Sequence, residues 1–141
     1  MNKDAVTQLQ DIVSLYKTKL DRNREIKESF HPEWMDKLSK IIIPTFKEVQ
    51  ALLIREGLRC QVEDIPVYEG VGMSIAPQDI SAPVHKWPSI RIETEPPTVK
   101  ITITNSQDKP YSDNQLLDEL TQESIEATLV EFLKHNLAKW A

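Results

Sequence analysis

The sequence predicts an α+β fold, with a three- to four-stranded, mainly antiparallel sheet packed on one face by an amino-terminal helical region and a carboxy-terminal helix. Three observations predict it. Apolar residues recur at alternating spacings of three and four within residues 1–57 and again within 111–141, which is the period of a helix face. Between them, over 58–110, the period drops to two, as in a strand with one wet face. Proline and glycine follow the same division: residues 58–110 hold seven of nine prolines and two of three glycines, and 111–141 hold neither. At 141 residues, with 40% apolar and 28% charged side chains, the chain can bury an ordinary core, and one domain is expected over 1–141.

In the first zone Val6, Leu9, Val13, Tyr16 and Leu20 mark one face of a helix expected over about residues 4–28. Phe30-His31-Pro32-Glu33 reads as a break and restart, because the residue before a proline is pushed out of helical dihedrals while proline itself suits a first helical position. The second helix then begins near Pro32, carries Trp34, Leu38, Ile41, Ile42, Val49, Leu52 and Leu53, and is closed by Gly57. Pro44 lies inside that pattern, so a kink or interruption is expected at residues 40–44.

Strands are expected where Leu58, Cys60 and Val62, then Ile90 and Ile92, then Val99, Ile101 and Ile103 alternate with polar neighbours. Val71–Ile75 is a weaker candidate because of Gly72. Residues 76–88, with Pro77, Pro83 and Pro88, read as a surface loop. Clean alternation favours an antiparallel sheet covered on one side. The last zone, 111–141, is expected to be the carboxy-terminal helix: Ile125, Leu129, Phe132, Leu133, Leu137 and Trp140 share a face, and Thr121 caps its start. Leu116–Leu120 fits either a short preceding helix or an edge segment.

Seventeen basic and 22 acidic side chains leave a net charge of −5, which argues against a nucleic-acid partner because phosphate binding needs a basic face. The densest basic stretch, Lys17, Lys19, Arg22, Arg24 and Lys27, is interleaved with Asp21, Glu25 and Glu28 and lacks stacking aromatics, so it reads as a solvated helix face. A single cysteine, Cys60, leaves no intramolecular disulfide or thiolate-rich zinc site and fits a reducing, cytoplasmic setting. No apolar run approaches the roughly 20 residues of a membrane span, and Asn2-Lys3-Asp4 does not open a secretory signal.

Reactive side chains do not gather along the chain. His31, His85 and His135 fall on three different expected elements without metal-ligand spacing. Cys60 takes the apolar phase of its strand and reads as a small buried hydrophobe. Gly70-Val71-Gly72-Met73-Ser74 has neither nucleophile-elbow nor phosphate-loop spacing. Glu93 and Glu95 would share the wet face of a strand beside Arg91, where a salt-bridged surface is the simpler account.

No catalytic residue, metal ligand or cofactor is therefore assigned, and the reading leans away from an enzyme. What the residues favour is an interaction module, such as an accessory or regulatory subunit or an inhibitor, meeting a protein partner or a second copy of itself through the amino-terminal helix. Its candidate interface is Leu9, Val13, Tyr16 and Leu20, with Trp87, set between Lys86 and Pro88, expected at the surface. Two alternatives are a small-molecule-binding or hydrolytic domain using the 71–87 loop, with Ser74, Asp79 and His85, and an acidic mimic of nucleic acid, drawn from the six acidic against two basic residues of 111–141.

Overall fold

The computed structural model describes residues 2–65, 69–105 and 109–140. Helix α1 spans Lys3–Lys37, 35 residues and about 52 Å at the usual rise. Asn2 caps it, its side-chain Oδ1 accepting from the Asp4 N–H at 2.8 Å. The expected break at Phe30–Glu33 does not occur, and α1 runs straight through Pro32. An interior proline costs about 3 kcal/mol. Phe30 and Trp34, on either side of it, are both buried, and their rings stack at 6.5 Å. Burying two such aromatics contributes about 1.5–3 kcal/mol each, enough to offset the lost hydrogen bond.

A π-helical turn at Leu38–Ile42 joins α1 to α2, Ile43–Arg55. This is the interruption expected at 40–44, and Pro44 explains it. Proline brings no N–H and crowds the carbonyl four residues back, and the wider turn, with the Ile43 N–H on the Leu38 carbonyl, makes room. The Thr45 hydroxyl donates to the Ile41 carbonyl at 2.6 Å. The turn also sets the phase of the rod. Trp34 and Phe46 are twelve residues apart, which places them about 120° apart in an uninterrupted α-helix. A π turn absorbs one residue and reduces that to about 20°, so both side chains are fully buried on one side. Gly57, at φ 89°, ends the run.

The sheet has five strands rather than three or four: β1 Arg59–Ile65, β2 Gly70–Ala76, β3 Ser89–Glu95, β4 Thr98–Thr104 and β5 Tyr111–Leu116. They follow one another in the order β1-β2-β3-β4-β5, each antiparallel to its neighbours. The register aligns Cys60 with Ile75, Met73 with Ile90, and Ile92 with Ile101, so one face is a continuous apolar floor for the helices. Gly70 opens β2 because a Cβ there would collide with the Ile92 carbonyl oxygen.

β5 corrects the expectation that 111–141 is helical throughout. Its residues, Tyr-Ser-Asp-Asn-Gln-Leu, carry no apolar alternation because the strand is an edge largely outside the helical cover. It is held by backbone pairing to β4 and by Thr102 to Ser112 at 3.0 Å and Asn114 to Thr98 at 2.8 Å. A 3-10 turn at Leu117–Glu119 follows, with Leu117 and Leu120 buried. Helix α3, Gln122–Trp140, then starts at a reciprocal cap in which the Ser124 N–H donates to the Thr121 hydroxyl and the Thr121 N–H to the Ser124 hydroxyl. Ile125, Leu129 and Phe132 pack on the sheet. Asn136, fully buried, donates to Asn105 at 2.9 Å and to the Phe132 carbonyl at 2.8 Å, fastening α3 to the end of β4.

Trp87 is a further correction. It is 7% exposed rather than at the surface. Its indole N–H donates to the Ala82 carbonyl at 2.7 Å and the Arg59 guanidinium lies over its ring at 4.6 Å. Arg59 also donates to the carbonyls of Pro77 and Ile80. A strand residue thus stitches the proline-rich loop down, and a tryptophan between lysine and proline gives no local sign of that distant partner.

Candidate functional site

The largest departure from a covered core lies in the first 27 residues of α1. From Asn2 to Ser29 every side chain is exposed apart from half-buried Ala5, Val6 and Ile26. Leu9, Val13, Tyr16 and Leu20, the four helical residues of the expected interface, fall together on one side, each between 45% and 62% exposed. Ile12, equally exposed, broadens the stripe on one side, and exposed Leu15 lies further round the helix. Their signal was present in the sequence, but they lie outside the three-four series. Eighteen residues make about five helical turns, so Tyr16 and Leu20 share their azimuths with Trp34 and Leu38, which are buried. The face that enters the core therefore continues out along the helix, past His31, Lys27 and Asn23, to an apolar stripe that none of the described residues covers. We call residues 3–29 the arm.

The charges of the arm nearest the stripe are basic. At 100° per residue, Lys17 and Arg24 border the stripe on one flank, Lys19 borders it on the other, and Lys27 falls within it. Of the five acidic residues, Glu28 and Asp21 lie just beyond Lys17 on the same flank, about as far round as Lys19 is on the other, while Asp4, Asp11 and Glu25 lie on the opposite side with Arg22. Among the described residues no ion pair within 4.0 Å joins Lys17 to Asp21 or Arg24 to Glu28. The back-face hydroxyls of Thr7 and Thr18 donate to the carbonyls of Lys3 and Ser14.

A second uncovered apolar surface lies on the body, in a groove of about 310 Å³ between α2 and α3. Val49 and Leu52 come from α2, Val130 and Leu133 from α3, and the carboxylates of Glu48 and Glu126 stand at its border, with Arg55 towards the end of α2. Leu52 and Val130 are both nearly half exposed. Sequence reasoning did not join these residues, because 78 positions separate Glu48 from Glu126 and only the packing of α3 beside α2 unites them.

The open face of the sheet holds a cleft of about 530 Å³ lined by Glu63, Ser74, His85 and Arg91. It brings two residues of the 71–87 loop reading together, while Asp79 is not among its lining. Arg91 Nε lies 3.3 Å from the Glu93 carboxylate, and among the described residues no hydrogen bond joins Ser74 to His85. Cys60 faces the other side of the sheet, free and buried, and desolvation pushes its thiol up to about 11. His31 Nδ1 meets Glu69 at 2.7 Å beside α1, and His135 sits on α3 in a separate depression with Tyr111 and Glu131. The three histidines do not converge. Among the described residues, no three His, Cys, Asp or Glu side chains group as a metal site requires, and no helix is long and apolar enough to cross a membrane.

No protein-family model, curated protein or solved structure matches the chain.

Proposed function

We propose that the protein is a non-enzymatic interaction module whose arm is a docking helix. A single observation carries this: the arm reaches about 40 Å out along α1, and on the face that it shares with Trp34 and Leu38 it bears an uncovered apolar stripe of about 21 Å from Val6 to Leu20. A helix draws most of its stability in water from packing an amphipathic face, and this one has no intramolecular surface to pack on. A contiguous exposed stripe of this kind marks an interaction surface, and its aromatic and aliphatic residues are of the kind that anchor one.

The reading is tested by placing a photo-crosslinking amino acid at Val13 in the native host. Protein adducts are expected, and Leu9→Asp with Leu20→Asp should abolish them. Both substitutions lie outside the body's core, so circular dichroism should show the sheet and α3 unchanged. An unadducted chain overturns the proposal.

The cleft with Glu63, Ser74, His85 and Arg91 supports a second reading, a small-molecule site on the open face of the sheet. A ligand bound only by the native state raises the melting temperature. A thermal-shift screen of anionic metabolites should therefore give a shift that Arg91→Ala removes, and no shift across the panel overturns this reading.

A further inference from the structure

We infer that the surface covering the arm is the α2–α3 groove of a second copy of this chain, an inference that rests on the docking-helix reading and gives its partner. Self-pairing of two arms, stripe to stripe, is disfavoured: the charges nearest the stripe are Lys27, Arg24 and Lys17, with Glu28 and Asp21 further round and the other carboxylates of the arm on its back, and like charges brought together across an interface oppose it. The arm calls for an apolar surface bordered by carboxylates.

The body supplies one. Val49, Leu52, Val130 and Leu133 make an apolar floor, and Glu48 and Glu126 line it against the single guanidinium of Arg55. A narrow three-four stripe fits the furrow between two helices, where a third helix lays its ridge. Total charge follows the same division: the arm carries six basic and five acidic residues, the remainder of the chain eleven and seventeen. The seat cannot belong to the same copy. α1, the π turn and α2 follow one another without a break, so the arm leads away from α2 and its stripe stays exposed.

The test uses the full chain and light scattering after size-exclusion chromatography. Wild type at about 100 μM is expected to associate, a concentration that populates a contact of micromolar affinity. Lys17→Glu with Arg24→Glu, and separately Glu48→Lys with Glu126→Lys, should each weaken association by about tenfold or more. All four side chains are exposed, so the thermal transition of each variant should match wild type. Mixing the two variants is the decisive measurement. Each carries a mismatched arm and groove when alone, whereas in the mixture both contacts are complementary, and association should return.

A monomeric wild type, a groove variant that associates like wild type, or a mixture that stays apart overturns the inference. So does binding of the arm to vesicles containing phosphatidylserine without self-association. If the purified protein is monomeric while the Val13 crosslinker captures a different protein in the host, the second-copy inference falls and the docking helix stands. If neither experiment finds a contact, both fall.

Discussion

Trp34 has no exposed surface, and its indole N–H is a buried donor without a partner among the described residues. Two costs can therefore be separated at one position. Trp34→Ala should destabilise the protein by about 3–5 kcal/mol through the cavity it leaves. Trp34→Phe should cost distinctly less, because removing an unsatisfied donor returns about 1–3 kcal/mol, and urea denaturation followed by circular dichroism reads both. Cys60 gives a pH signature. Its thiol pKa is raised from 9.0 to about 11, so the native state holds its proton where the unfolded chain has begun to release one. The resulting stability is whole below about pH 9 and is lost as pH rises through about 11. Urea midpoints at pH 8 and 10.5 should fall further apart for wild type than for Cys60→Ala. A disulfide reagent at pH 8 should leave native Cys60 unmodified and label it in urea. The burial of Cys60 was legible, since its phase in an alternating strand places it inwards. That of Trp87 was not, because its neighbours in sequence are polar and its cover is Arg59, 28 positions away.

At the scale of the element, legibility followed how much of the side-chain pattern faces the core. β1, β3 and β4 alternate because one face of each is buried, and α3 repeats because its stripe packs on them. β5 has no such stripe and is specified by backbone pairing and cross-strand polar contacts, which leave no periodic trace. Pro32 shows the converse case: its local preference is to end a helix, and two buried aromatics overrule it. Relieving that conflict should stabilise the fold. Pro32→Ala, at an exposed site inside α1, is expected to add about 1–3 kcal/mol by restoring a hydrogen bond and removing the ring clash, and a higher melting temperature in calorimetry checks it.

For the molecule as a whole, the buried core and the exposed apolar stripe occupy different parts of the chain. Phe30 is the first buried residue and Trp34 the first with no exposed surface, so the core is complete without the arm. Removing residues 2–28 should leave the calorimetric transition of the body within a few degrees of wild type, a loss under about 1 kcal/mol, while ending whatever contact the Val13 crosslinker reports. A large drop in melting temperature would instead show the arm folded against its own body. The arm's stripe was readable from residue spacing alone. That Lys27, Arg24 and Lys17 are the charges nearest the stripe was not, since it emerges only when the azimuths of interleaved bases and acids are compared, and the groove with Glu48 and Glu126 exists only once α3 lies beside α2.

The unbroken rod from Lys3 to Arg55 has one more consequence. If the arm seats on a second copy as inferred, the contact joins unlike surfaces, and such contacts either close on themselves as a ring or propagate as a fibre according to the rotation relating successive copies. That rotation is fixed where the rod changes pitch, at Leu38–Ile42. The residue Pro44 forces into that turn would then act as an architectural angle, deciding between a particle of finite mass and a growing polymer.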